Sequence, residues 1–451
     1  MVSGWSNDGS TLLVKRYLSA NESELHLFDM NTGRQRRLSA PRQEPVAYGA
    51  AVFSPDASAV YAASDRGSEF KRLVRIDAAT GEETALHDAL WDAADLSLSP
   101  DGRTLAYTTN EAGASKIRLL DTRSGKTIAG PELALGVVQS LDWSHDGQQL
   151  GFTLGSAKSP ADAYSFDTAS GNIERWTQSE TGGLDPRGFV EPELIHVKSF
   201  DGLTVSGFLY RPDPVKFPGK RPVAINIHGG PESQSFPQFL GRTNYFLNEL
   251  GVAFFYPNVR GSSGYGKTFL ALDNGYKRED SVKDIGAFIQ WIKQDSLLNG
   301  ERIAVMGGSY GGYMTLASLE HYGEQLRCGI EIVGISNFLT FLENTADNRR
   351  DLRRVEYGDE RDPQMREFLL RISPTTNVAK LNKPLLVIQG KNDPRVPVSE
   401  AEQIVAAVKE NGGSPWYLMA ANEGHGFKKK PNVDFQTLVM GEFLRKHLLS
   451  D

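Results

Sequence analysis

The sequence predicts two architectures in succession: an all-β propeller, then a doubly covered, mostly parallel α/β sheet. Three observations carry this. A repeat with a spacing near 45 residues fills the first 178 residues. After residue 190, short apolar runs alternate with amphipathic stretches. Between one such run and the next helical stretch lies a glycine-rich turn around Ser309.

The repeat comes first in the chain. Trp5-Ser-Asn-Asp8-Gly9 recurs as Phe53-Ser-Pro-Asp56-Ala57, Leu98-Ser-Pro-Asp101-Gly102 and Trp143-Ser-His-Asp146-Gly147, so the aspartates step by 48, 45 and 45 residues. A second mark follows each: Asp29 to Gly33, Asp77 to Gly81, Asp121 to Gly125 and Asp167 to Gly171. Strand-like runs such as Thr104-Leu-Ala-Tyr-Thr-Thr109 lie between the marks. Turns at both marks with strands between them predict four-stranded propeller blades. The Asp and Gly residues serve turn geometry rather than metal binding. Four blades are visible, and the first opens at its mid-blade turn. The propeller is therefore expected to be short or open, or the chain an N-terminally shortened form of a larger one. A propeller cut open exposes two blade edges, which invites a homo-oligomer through those edges.

Residues 179–190 are polar and glycine-rich and predict a linker, leaving 1–178 as propeller and 191–451 as a second domain. That domain opens with a hairpin, Leu194 to Phe200 and Leu203 to Tyr210. Further strands are expected at Pro222–His228, Gly251–Tyr256, Ile303–Met306, Ile330–Val333, Pro384–Gln389 and Pro415–Met419. The stretch Ser281–Lys293 carries an apolar stripe of Val282, Ile285, Phe288, Ile289 and Ile292, which predicts a helix against the sheet. Apolar strands alternating with such helices mean a parallel sheet covered on both faces.

Gly307-Gly-Ser309-Tyr-Gly311 is a G-x-S-x-G pattern between strand Ile303–Met306 and helix Tyr313–Glu320. That context makes it a nucleophile elbow and the domain an α/β-hydrolase. A serine hydroxyl needs a base, and the base an orienting carboxylate, in the chain order Ser, acid, His. Three histidines follow Ser309: His321 and His447 fall in helices, whereas His425 lies in a loop just after a strand. Asp393 directly follows strand Pro384–Gln389, so Ser309, Asp393 and His425 are the expected catalytic set. The oxyanion hole is expected from the backbone N–H of Tyr310 and from Gly229 or Gly230 in the turn His228-Gly-Gly-Pro231. His228 itself is expected to hold that loop. No cofactor and no metal are called for, since no H-E-x-x-H or similar spacing occurs.

Charged residues make up 23% of the chain and the net charge is −7, which gives no reason to expect nucleic acid. Cys328 is the single cysteine, so no intrachain disulfide is possible, and it reads as a core residue. No basic and apolar leader opens the chain and no apolar run is long enough for a membrane span. A soluble, cytoplasmic protein is the expectation, with a signal sequence upstream left open.

The chain resembles the prolyl oligopeptidase family of serine peptidases. The marks are Gly307-Gly-Ser-Tyr-Gly-Gly312, Asn258-Val-Arg-Gly-Ser-Ser-Gly-Tyr-Gly266, His228-Gly-Gly-Pro231, Asn392-Asp-Pro-Arg-Val396 and Gly424-His-Gly426. Within the family, His228-Gly-Gly-Pro231 is similar to the acylaminoacyl-peptidase and dipeptidyl aminopeptidase-like branch. The resemblance implies a propeller capping the site, short peptide substrates, and Ser309, Asp393 and His425 as the triad. It implies a substrate-carbonyl contact for Arg395 and substrate contacts for Arg349 and Arg350. The tryptophan that lines the family's proline pocket is missing from Ala346 to Gly358, so strict proline specificity is not expected. Release of acylated or free N-terminal residues, a carboxylesterase on the same fold, and a non-catalytic propeller interaction module remain as alternatives.

Overall fold

The computed structural model describes residues 1–39, 44–87 and 90–450, which form two compact units. The first comprises Met1–Glu191 with two short excursions, Phe236–Phe239 and Ser263–Leu270; the second comprises the rest.

The first unit holds four antiparallel four-stranded sheets, each in simple meander order. They run from Val2 to Arg37, Tyr48 to His87, Asp92 to Ile128 and Gly136 to Arg175. The repeated aspartates build turns: Asp8 Oδ1 accepts from the Ser6 hydroxyl at 2.6 Å and the Ser10 N–H at 3.0 Å. Asp56, Asp101 and Asp146 repeat that pattern. Glycine takes the left-handed position after Asp8, Asp101 and Asp146, and Ala57 takes it in the second sheet at φ 55°. An apolar layer separates each sheet from the next. Leu13 and Leu25 meet Val60 and Val74, Leu73 meets Leu96 and Leu105, and Ile117 and Leu119 meet Val138 and Trp143. The Trp143 indole N–H donates to the Ser97 carbonyl at 3.1 Å, pinning the fourth sheet to the third.

The second unit is built on one eight-stranded sheet. Its strands are β1 (Glu193–Lys198), β2 (Thr204–Tyr210), β3 (Arg221–Ile227), β4 (Ala253–Asn258), β5 (Leu298–Gly308), β6 (Cys328–Ile332), β7 (Leu385–Gly390) and β8 (Trp416–Ala420), in the order β1-β2-β4-β3-β5-β6-β7-β8. β2 pairs antiparallel with β1 and β4, and every pair from β4 to β8 is parallel. Val223–Ile225, Ile303–Val305 and Leu386–Ile388 are fully buried, as strands covered on both faces must be. β5 begins five residues earlier than its apolar run, with Leu298 paired to Arg221 ahead of an irregularity in the register.

The helices are α1 (Thr243–Asn248), α2 (Asp280–Gln294), α3 (Tyr310–Tyr322), α4 (Phe338–Asn344), α5 (Asp347–Tyr357), α6 (Pro363–Arg371), α7 (Val398–Glu410) and α8 (Lys430–Leu444). α2 buries the expected stripe. α3 is buried along nearly its whole length, which explains why its sequence shows little amphipathic contrast. Cys328 lies in the core, where burial pushes its thiol up to about 12. Among the described residues no helix is long and apolar enough to cross a membrane.

Candidate active site

The site is assembled at the carboxyl edge of the parallel strands. β5 ends at Gly308, and Ser309 follows at φ 59°, ψ −120° before α3 begins. For a residue with a Cβ this conformation costs about 1–3 kcal/mol, so it persists only where the surroundings dictate it. They do so here from both sides. The Ser309 N–H donates to the Ile332 carbonyl at 2.8 Å, and its own carbonyl accepts from Gly312 and Tyr313. The flanking glycines are required by space: a Cβ on Gly311 would lie 2.1 Å from the Ile227 carbonyl oxygen, and one on Gly307 would lie 2.4 Å from that of Gly311.

Asp393 sits in the loop after β7 with its side chain fully buried. Its Oδ1 accepts the backbone N–H groups of Arg395 at 2.8 Å and Val396 at 3.0 Å. Its Oδ2 accepts from His425 Nδ1 at 2.7 Å. His425 lies after β8 in a loop folded around Glu423. That carboxylate accepts the N–H groups of Lys428 and Lys429 and the Asn432 amide, while the Glu423 carbonyl accepts from Asn392. The acid and histidine loops meet so closely that a Cβ on Gly390 would lie 2.1 Å from the Gly424 oxygen. Ser309 is half-buried, and its hydroxyl makes no hydrogen bond to His425 among the described residues. In unliganded sites such bonds commonly tighten only around substrate.

The turn after β3 closes the other side. A Cβ on Gly229 would lie 3.2 Å from the Ser309 Cβ. His228 Nδ1–H donates to the Gly229 carbonyl at 2.8 Å, and Nε2 faces the Ser262 hydroxyl at 2.9 Å. Burial depresses the His228 pKa and keeps the ring neutral. The Gly229–Gly230 peptide is trans, so fixing the Gly229 carbonyl aims the Gly230 N–H to the opposite side. The Gly230 carbonyl is held in turn by Arg353 Nη1 at 2.9 Å and the Tyr357 hydroxyl at 3.3 Å. Arg353 also pairs with Glu232 at 2.8 Å, both side chains being largely buried. Tyr310, first residue of α3, has no helical acceptor for its N–H. Its ring is buried beneath, with its hydroxyl 2.8 Å from Ser281 and 3.3 Å from Arg278. Arg278 in turn joins Asp273 at 2.6 Å and Glu356 at 2.9 Å. Burial opposes the Arg278 charge, but the facing Asp273 and Glu356 outweigh it and raise its pKa.

Sequence reasoning missed Arg353, Glu232, Tyr357, Glu423 and Arg278. Glu232 and Glu423 each stand one residue from a motif; that adjacency was the only available signal. Of the three expected substrate-binding arginines, Arg350 turns back to Asp347 at 3.0 Å and to the Glu343 carbonyl at 3.0 Å. Arg349 and Arg395 have no carboxylate partner among the described residues.

Comparison with known proteins agrees with this architecture. Residues 237–451 match the model for the prolyl oligopeptidase family, and residues 1–179 match the model for the N-terminal beta-propeller domain of prolyl oligopeptidase. Dipeptidyl aminopeptidase BIII of Pseudoxanthomonas mexicana is 28% identical over 405 residues, covering 87% of this chain and 58% of that protein. Dipeptidyl peptidase family member 6 of Caenorhabditis elegans is 34% identical over 228 residues, 50% of this chain and 31% of that protein. The chain thus spans less than two thirds of these relatives. Among solved structures, puromycin hydrolase superposes with a TM-score of 0.88 at 22% identity, over 99% of this chain and 69% of that one. Acylaminoacyl peptidase of Pyrococcus horikoshii gives 0.79 at 21% identity, over 98% of this chain and 70% of that one. With both halves matched by models of one family, the chain belongs to the prolyl oligopeptidase family.

Proposed function

We propose that the protein is a serine peptidase acting on short peptides. The observation that carries this is the 2.7 Å pair between His425 Nδ1 and the buried Asp393 carboxylate, on the sheet edge where the strained Ser309 emerges. Ser309 Oγ attacks the scissile carbonyl and passes its proton to His425 Nε2. Asp393 keeps the other proton on Nδ1 and stabilises the imidazolium. The oxyanion is met by the N–H groups of Tyr310 and of Gly230 or Gly229. His425 then protonates the leaving amine, and water repeats the cycle on the acyl-enzyme. Arg395 and Arg349 contact the substrate. Relatives named as dipeptidyl aminopeptidase and acylamino-acid-releasing enzymes support a peptidase, with an acylated or free N-terminal residue as the released unit.

The test compares kcat/KM for an N-acetylated aminoacyl anilide, the same anilide with a free amine, and an aryl ester, with Ser309→Ala as blank. Cleavage of an anilide, abolished in Ser309→Ala, is the expected result, and the better anilide tells which N-terminus is preferred. Turnover of the ester alone would make the protein a carboxylesterase. Turnover surviving in pure Ser309→Ala would remove Ser309 from the chemistry.

A further inference from the structure

Two guanidinium groups near the acid loop, those of the half-buried Arg349 and the exposed Arg395, have no carboxylate within ion-pair distance among the described residues. Arg349 and Arg353 are one helical turn apart and share a face of α5. That face looks toward the site, because Arg353 reaches the Gly230 carbonyl at 2.9 Å. The start of α5 is tied to the acid loop: the Ala346 N–H donates to the Pro394 carbonyl at 3.2 Å and the Thr345 hydroxyl to the Arg395 carbonyl at 2.8 Å. Arg349 is therefore held between the oxyanion loop and the loop that carries Asp393 and Arg395.

The nearby carboxylates are already committed. Glu232 pairs with Arg353, Asp347 with Arg350, Asp351 with Arg354, Glu343 with Arg366, Glu356 with Arg278 and Asp393 with His425. Burial together with the charges of Arg353 and Arg395 presses the Arg349 pKa below the usual arginine range, against the weaker opposing pull of Tyr357 and Glu232. A half-buried guanidinium with no ion-pair partner among the described residues is an unfilled carboxylate fork.

We propose that Arg349 and Arg395 form a subsite for a carboxylate of the substrate peptide, next to the scissile bond. The site would then select acidic peptides rather than merely contact a peptide carbonyl. The carboxylate is either an aspartate or glutamate side chain or the peptide's own C-terminus. The inference rests on the peptidase reading, but binding tests it separately from turnover.

Three hexapeptides of otherwise identical sequence are titrated into Ser309→Ala protein by calorimetry: a central glutamate with an amidated C-terminus, a central glutamine with an amidated C-terminus, and a central glutamine with a free C-terminus. The expected result is that one acidic peptide binds about tenfold tighter than the neutral one, the size of one charged hydrogen-bonded pair, with the margin shrinking as salt rises. Which peptide wins identifies the source of the carboxylate. In the Ser309→Ala background, Arg349→Gln and Arg395→Gln, each checked for native circular dichroism, should each bring that ratio close to one. Equal binding of all three peptides, or a ratio unmoved by both substitutions, overturns the subsite. An acidic preference in binding with no hydrolysis by the Ser309 protein would keep the subsite and remove the peptidase. Hydrolysis of neutral and acidic peptides at equal rates, with equal binding, would do the reverse.

Discussion

Arg353 Nη1 donates to the carbonyl of Gly230 at 2.9 Å, so a residue within a run of charges holds the glycine next to Gly229, which faces Ser309. Arg353→Gln should lower kcat about 10- to 100-fold, a fraction of what losing a whole oxyanion donor costs. KM should change less, because the loop is misaligned rather than absent. Glu232→Gln should have a smaller effect, since the bond to Gly230 survives. Steady-state kinetics on all three proteins check this, and a change in KM alone would make Arg353 only a binding residue.

Asp393 accepts two backbone N–H groups on Oδ1 and His425 on Oδ2. In Asp393→Asn the amide oxygen must keep the two backbone donors, which turns the NH₂ group toward His425 Nδ1. The ring is then forced to carry its proton on Nε2, where it cannot accept one from Ser309. Expected is a fall in kcat of about 10³- to 10⁴-fold with little change in KM. A variant retaining a tenth of the activity would remove Asp393 from the set.

Glu331 lies under the elbow, on the strand beside β5, in register with Gly307. Its Oε1 accepts the Gly334 N–H, and its Oε2 has no partner among the described residues. Burial pushes its carboxyl up to about 8 from the ordinary 4.5. Between those values the folded state binds more protons than the unfolded state, so stability falls as pH rises, by up to about 1.4 kcal/mol per pH unit. Glu331→Gln escapes this. Its melting temperature should match wild type near pH 5, exceed it by about 5–10 °C at pH 8, and then hold a constant margin. Parallel melting curves across pH 5–9 would refute the assignment.

The parallel strands and the elbow were legible because burial on both faces demands continuous apolar runs, and the crossing at Ser309 demands glycine at Gly307 and Gly311. Asp393 and His425 were legible because strand ends place the loops that follow them. The role of Arg353 was not. Asp347-Asn-Arg-Arg-Asp-Leu-Arg-Arg354 looks like a solvated charge run, and only the tertiary path reveals that one turn of it faces Gly230 while Arg350 folds back on Asp347. The same path separates Arg349 from Arg350, which adjacency in sequence had grouped.

α5 is attached to the acid loop at one end and to the oxyanion loop and Arg278 at the other, and the residues it buries are Arg353, Glu356 and Tyr357. Water can solvate Arg353 and Glu356 when the helix lifts, whereas Tyr357 must leave the rings of Tyr310, Phe338 and Phe341. Detachment of α5 would release both the Asp393 loop and the turn at Gly230 in a single event. The two loops on either side of Ser309 therefore share one attachment, and opening of this one helix would loosen both while the sheet beneath stays folded.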